Sequence, residues 1–251
     1  RHRALHVTVA EQGGVPGMKI SEREAAITEM DTDDFDSACR ELVRPFDLSS
    51  GPLYRFWLLN SPQGVAFFFD IHHVVFDGTS VTEFLSQIAS VYEGGECPGD
   101  EALNQFDIAL DEVSFRQGDI YAGAEDFFRQ RFEGMDCDST PVPDKTFDDG
   151  LTGAGHVTAC SEGINAADAV HFARTHSITE NTLFLGAFSY ALAKLNGAQE
   201  SCFCTVDNGR HDHRLSSSVG MFVRTLPMYF QLDENRSVSE FLKEVQDVLF
   251  S

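Results

Sequence analysis

With 251 residues, 42% of them hydrophobic and 22 of them Phe, the chain carries enough apolar material for one large core or two small ones. Its 18 Lys+Arg against 40 Asp+Glu give a formal net charge of −22. That balance repels phosphate backbones and sets nucleic-acid binding aside, while favouring solubility and leaving cationic partners open. No apolar run is long enough to span a bilayer, and no signal-peptide core follows Arg1-His2-Arg3-Ala4. The six Cys (Cys39, Cys97, Cys137, Cys160, Cys202, Cys204) lack both Cys-x-x-Cys pairs and the dense spacing of a disulfide framework, so they read as reduced thiols of a cytoplasmic protein without a metal.

In chain order, residues 5–9 alternate weakly and are predicted as a strand, and Gly13-Gly14-Val15-Pro16-Gly17 as a loop. Residues 33–43 read as a helix with Phe35, Ala38, Cys39 and Leu42 inward. A turn-rich stretch over 45–52 leads to a strand over 53–59. A turn at Gln63-Gly64 and a strand over 65–71 complete a hairpin. Residues 80–92 are predicted as a helix with Val81, Phe84, Leu85, Ile88 and Val91 as its apolar stripe. Ser80-Val81-Thr82-Glu83 fits a capping box, and Gly94-Gly95 ends the helix. Residues 94–100 are loop-like and a candidate lobe boundary. Residues 111–132 read as helix with a break near Gly118, and residues 136–155 as an exposed connection. Helices are predicted over 165–176 and 181–195, the second with Leu183, Phe184, Ala187, Phe188, Ala191 and Leu195 at helical spacing. Strands follow over 201–206 and 225–232, and a terminal helix over 239–250. Strands and helices alternate without strict βαβ regularity, which argues for a mixed α/β fold.

The stretch that carries chemistry runs Phe67-Phe68-Phe69-Asp70-Ile71-His72-His73-Val74-Val75-Phe76-Asp77-Gly78-Thr79-Ser80. An apolar strand, read as core, ends in two histidines; an acid and a glycine follow, and then a helix begins. Neighbouring side chains on a strand point to opposite faces, so one histidine should face a cleft and the other pack inward. The plainer reading is a pair of structural histidines. The Asp-Gly and the helix start favour function: Gly78 permits close backbone approach or a positive φ, and the first helical amides can face a developing oxyanion. Asp77 can fix the local geometry through a cation, and a histidine suits proton transfer near neutral pH. His211 and His213 could share a strand face, but no third ligand accompanies them, so no metal is expected.

This segment resembles the His-His-x-x-x-Asp-Gly signature of condensation domains from nonribosomal peptide synthetases. The shorter His-x-x-x-Asp-Gly form is shared by the wider superfamily of chloramphenicol acetyltransferase-like acyltransferases. Three further stretches resemble family segments in the same order. Arg1-His2-Arg3-Ala4-Leu5-His6 is similar to Arg-His-Glu-x-Leu-Arg, departing at Arg3 and His6. Arg44-Pro45-Phe46-Asp47-Leu48 with Gly51-Pro52-Leu53-Tyr54-Arg55 is similar to Pro-Phe-Asp-Leu…Gly-Pro-Leu-x-Arg. Val219-Gly220-Met221-Phe222-Val223-Arg224-Thr225 is similar to Ile-Gly-x-Phe-Val-Asn-Thr, with Arg224 where Asn is usual.

The resemblance implies an α/β fold of two chloramphenicol acetyltransferase-like lobes in a V, here without the family's N-terminal and C-terminal ends. Residues 1–100 would be the N-terminal lobe and 101–251 part of the C-terminal one. It implies amide-bond formation between donor acyl or aminoacyl and acceptor aminoacyl thioesters, which arrive on the phosphopantetheine arms of two peptidyl carrier proteins; an adenylation domain would adjoin in the same polypeptide. No tightly bound cofactor, membrane or nucleic acid is implied. Carried over by position, His73 is the catalytic histidine that accepts a proton from the amine or orients it, and the Gly78 amide lies near the oxyanion. His72, Asp77 and Arg210 are structural, with Arg210 holding Asp77, and Ser80 and Arg224 are candidate substrate contacts. Epimerization domains share the signature but usually continue into a Val-Ser-Trp-Arg-like stretch, where this chain has Thr79-Ser80-Val81-Thr82. Cyclization domains replace the motif with two spaced aspartates. A stand-alone acyltransferase and an inactive carrier-docking platform are the remaining alternatives, the latter kept open by Arg3, His6 and Arg224.

Overall fold

Strands β4 (Tyr54–Ser61) and β5 (Gly64–Ile71) pair antiparallel along their full length, with Tyr54 opposite Ile71 and Ser61 opposite Gly64. Strand side chains alternate between faces, so this aromatic-rich hairpin is apolar on both sides. Tyr54, Phe56, Phe67 and Phe69 belong to one core cluster, and Trp57, Leu59, Ala66 and Phe68 to another. Two helices cover these faces. α1 (Phe35–Leu42) sets Phe35, Ala38, Cys39 and Leu42 in the Trp57 cluster, while α2 (Gly78–Tyr92) sets Val81, Phe84 and Ile88 in the Phe56 cluster. Phe84 stacks on Phe56 at 5.8 Å and meets the edges of Phe69 and Phe76 at 5.7 Å. Leu85 and Val91 of the expected stripe are exposed instead, because the apolar arc is narrower than the sequence pattern.

The computed structural model describes residues 1–142, 158, 163 and 165–250. Near its start, the strand expected over 5–9 is found two residues later, and it pairs with a strand that the sequence did not signal. β1 (Val7–Gln12) and β2 (Val15–Ile20) form an antiparallel hairpin closed by Gly13 and Gly14, both at positive φ (63° and 82°). Two residues at positive φ make the tight turn that matches strand twist, so the loop expected over 13–17 shrinks to two residues. β2 is exposed throughout and therefore shows no alternation. β3 (Ile27–Asp31) runs parallel to β4, α1 making the crossover.

α3 (Gln105–Phe115) and α4 (Asp119–Phe132) fill the helical stretch expected over 111–132, and the break expected near Gly118 falls at 116–118. α3 starts six residues before the expected 111 because Asn104 and Asp107 form a reciprocal cap, Asp107 accepting from the Asn104 amide at 2.9 Å. The expected connection over 136–155 lies outside the described residues from 143 onward, as does Cys160.

The chain divides into two compact units: 1–123 with 207–224, and 124–206 with 225–251. The first thus runs past the loop at 94–100 and takes in 207–224, which hydrogen-bond to it: Ser218 Oγ donates to Leu103 O at 2.5 Å and the Val219 amide to Glu101 Oε1 at 2.8 Å. The second holds α5 (Ala166–Thr175), α6 (Glu180–Leu195), β6 (Glu200–Asp207) paired with β7 (Arg224–Gln231), and α7 (Val238–Leu249).

α6 turns a different face inward from the one its apolar spacing predicts. Thr182, Gly186, Ser189, Leu192 and Ala193 are buried, while Phe184 is 60% and Phe188 52% exposed. The reason is close approach. A Cβ on Gly186 would sit 2.4 Å from Leu242 Cδ2 of α7, and Ser189 Oγ bonds Ser201 Oγ of β6 at 2.7 Å. Small residues admit the neighbouring elements, and the large ones point out. Among the described residues no helix is long and apolar enough to cross a membrane.

Candidate active site

The edge of β5 delivers the chain into a pinned turn. The His72 amide donates to Leu53 O at 2.9 Å, and His72 Nδ1 accepts from the Val74 amide at 3.1 Å, capping a short 3-10 turn over His73–Val75. The His72 ring meets Phe46 edge-on at 5.9 Å. His72 thus lies half-buried and engaged in its own backbone. His73 is exposed, and among the described residues its imidazole has no hydrogen-bond partner. The chain then dives inward: Val75, Phe76 and Asp77 are all buried.

Asp77 is the N-cap of α2, and its side chain is fully enclosed (0% exposed) against an Arg210 side chain that is 4% exposed. The guanidinium grips the carboxylate with two prongs, Nη1 to Oδ2 at 2.9 Å and Nη2 to Oδ1 at 3.0 Å. Oδ1 also accepts from the Ser80 amide and hydroxyl, each at 2.8 Å, and Oδ2 from the Phe222 amide at 3.0 Å. Burial pulls the Asp77 pKa up, but Arg210, the Phe222 and Ser80 amides and the Ser80 hydroxyl outweigh it and hold the carboxyl below its ordinary value.

The loop over 207–222 is shaped to bring Arg210 there. Asp207 accepts from the Gly209 amide at 2.8 Å and Asn208 from the Arg210 amide at 3.0 Å. Gly209 has φ 65°, and a Cβ on it would lie 1.9 Å from Phe222 O, so only glycine fits. Arg210 Nη2 also donates to Ser218 O at 3.2 Å, and the guanidinium stacks over the Phe222 ring at 4.6 Å.

Ser80 departs from both of its expected roles. Asp77, not Ser80, caps α2, and Ser80 is the third residue of the helix. Its hydroxyl is sealed among Asp77 Oδ1, Gly220 O at 2.9 Å, the Gly220 amide at 3.0 Å and Arg210 Nη2 at 3.0 Å. With every direction taken, it holds the loop to the helix and has nothing left for a substrate. Gly78 is also not what the sequence suggested in one respect: its φ is outside the left-handed region, and a Cβ there would meet no atom within 4 Å. Nothing among the described residues demands glycine at this exposed first helical position. Among the described residues, the amides of Gly78 and Thr79 donate to no acceptor, as expected of a helix start whose cap takes only the Ser80 amide.

Arg224, the other candidate substrate contact, begins β7 half-exposed, its Nη2 bonded to Glu112 Oε1 of α3 at 2.7 Å. His211 and His213 are exposed beside Asp207 (3.0 Å) and Asp212 (3.7 Å), and among the described residues no three His, Cys, Asp or Glu side chains are grouped to hold a metal. Glu101 went unnoticed in the sequence. Its buried carboxylate accepts from His2 Nδ1 at 2.7 Å as well as from the Val219 amide, tying the first residues to the Arg210 loop. A lone acid after a Pro-Gly-Asp turn carries no signal of such a role.

The chain belongs to the condensation domain family, whose sequence profile matches residues 2–251. It is 28% identical over 260 residues to tyrocidine synthase 2 of Brevibacillus parabrevis, covering 98% of this chain and 7% of that protein. It is 26% identical over 258 residues to surfactin synthase subunit 1 of Bacillus subtilis (strain 168), covering 100% of this chain and again 7% of the relative. The chain thus spans less than a tenth of these curated relatives. Among solved structures, the fold is similar to a four-domain nonribosomal peptide synthetase bound to AMP and glycine (TM-score 0.79, 21% identity, covering 99% of this chain and 20% of that one). It is also similar to the first condensation domain of the CDA synthetase (TM-score 0.73, 18%, covering 99% and 62%) and to the epimerization domain of the third module of tyrocidine synthetase B (TM-score 0.76, 15%, covering 99% and 61%).

Proposed function

We propose that the chain forms amide bonds between a donor acyl or aminoacyl thioester and an acceptor aminoacyl thioester, as part of nonribosomal peptide synthesis. The observation that carries this reading is the exposed His73 imidazole, without a hydrogen-bond partner among the described residues, beside a helix start held rigid by the buried Asp77–Arg210 pair. In the proposed step the acceptor nitrogen attacks the donor carbonyl, a C–N bond forms and the C–S bond breaks. The amine proton passes by way of His73 to the departing thiolate, or His73 orients the amine while the proton leaves directly. The amides of Gly78 and Thr79, without an acceptor among the described residues, suit a developing oxyanion, and the absence of a side chain at Gly78 leaves the approach open. Positioning supplies much of such a rate, so a rigid frame is the principal asset. Donor and acceptor carrier proteins would present the substrates on phosphopantetheine arms, and an adenylation domain would load them; the chain itself needs no bound cofactor for this chemistry.

The test is an assay with donor and acceptor both loaded on carriers. His73→Ala is expected to lower the amide-forming rate by about 10²–10⁴-fold with unchanged thermal unfolding. Undiminished product would remove His73 as the central group. The likeness to an epimerization domain gives the second reading its only support, and the same assay run in deuterated water separates the two. Deuterium at the substrate α-carbon without amide product would favour epimerization.

A further inference from the structure

We propose that the Arg224–Glu112 ion pair is a partition that sets the length of the apolar side chain accepted by the thioester substrate. This inference rests on the amide-forming reading above. Two cavities flank the pair. One, of about 420 Å³, lies between α3 and the 221–224 segment and is walled by Met18, Phe106, Met221 and Phe222. The other, of about 470 Å³, lies toward the end of α3, walled by Asp111, Phe115, Arg116 and Tyr121. Ile108, Glu112 and Arg224 line both. The first cavity shares a wall with the site: Phe222 donates its amide to Asp77, and Gly209, which also lines it, precedes Arg210.

The wall between the cavities is therefore Ile108 and the contact of Arg224 Nη2 with Glu112 Oε1 at 2.7 Å, whose side chains are both about half exposed (50% and 44%). An apolar chain filling the first cavity meets a charged pair that it cannot desolvate favourably, and it stops there. A half-exposed ion pair is weakly held, so its removal should open the wall rather than unfold the protein. A smaller, uncharged residue at position 224 would leave a continuous space with Phe115 and Tyr121 at its far end.

The experiment compares wild type, Arg224→Ala and the charge swap Arg224→Glu with Glu112→Arg. Each is given thioesters of increasing straight-chain length, varied on the donor in one arm and on the acceptor in the other. In the arm whose side chain occupies the cavity, Arg224→Ala is expected to raise the long-to-short ratio of kcat/KM by roughly tenfold or more, and the charge swap to return it toward wild type. An unchanged ratio in both arms, or an equal loss at every length, overturns the proposal. If wild type forms no amide at all, the amide-forming reading fails separately. Calorimetric binding of the same acyl-pantetheine thioesters then decides this one: tighter binding of long chains by Arg224→Ala than by wild type supports the partition, and equal affinities refute it.

Discussion

Helices of the two units use hydrophobic residues in opposite ways. In the first, the β4–β5 hairpin and α2 put their large aromatics inside, and Phe56, Phe69, Phe76 and Phe84 contact one another. In the second, α6 buries Thr182, Gly186, Ser189 and Ala193 and turns Phe184 and Phe188 outward. One packing is governed by volume to be filled, the other by the distance at which neighbouring elements approach. In addition, the first unit encloses a charged pair, Asp77–Arg210, which no equally buried pair in the second matches among the described residues.

The largest effect is expected where that charge sits. Asp77→Ala strands the Arg210 guanidinium in a sealed site and is expected to cost about 3–5 kcal/mol in urea unfolding. Arg210→Ala should cost a similar amount by leaving the carboxylate alone, and a loss under about 1 kcal/mol would show that the pair does not hold the helix start. The cost should also depend on pH. The folded carboxyl has a pKa below the ordinary 3.8, burial notwithstanding, because Arg210 and the Phe222 and Ser80 donors favour its charge. Its stabilisation is therefore fully present above the unfolded value and is lost as pH falls through the folded one. The gap between wild type and Asp77→Ala should accordingly narrow in acid; a gap constant down to strongly acidic pH would contradict the assignment.

Two glycines sharpen the contrast at the next level. Gly209 is blocked by a backbone oxygen 1.9 Å from its would-be Cβ and has φ 65°, whereas Gly186 is blocked at 2.4 Å by the tip of a leucine. Backbone cannot step aside and a rotamer can. Gly209→Ala should destabilise by about 3 kcal/mol or more and displace Arg210, and Gly186→Ala by about 1–3 kcal/mol. Equal costs in chemical denaturation would mean that both sites yield in the same way.

How far the sequence could be read follows the same division. The hairpin and α1 were legible because apolar runs bounded by a Gln63-Gly64 turn and a helical apolar pattern coincide with burial there, and the histidine-bearing turn because its motif is contiguous. The Asp77–Arg210 pairing was legible only through the family resemblance, since 133 positions separate the partners. Ser80 was misread because Ser80 and Glu83 satisfy the capping pattern locally, yet Asp77 caps as well and lets Gly78 and Thr79 join the helix. β2 and β3 are largely exposed and carry no periodicity, so they left no trace. The face of α6 was invisible because small residues signal close packing only once the neighbour is known.

The smallest expected effect probes that last point. By apolar spacing, Phe184 belongs to a core face, and truncating a core Phe costs about 3–5 kcal/mol. In the structure it is 60% exposed, so Phe184→Ser should change stability by less than about 0.5 kcal/mol, while Phe84→Ala in the first unit should show the full core penalty. Both are read from the midpoint of the same urea titration. A multi-kcal loss at Phe184 would mean that α6 is rotated to the face its apolar spacing favours. Gly186 and Ser189 would then turn away from Leu242 and Ser201, and the close approach that distinguishes α6 from α2 would not exist.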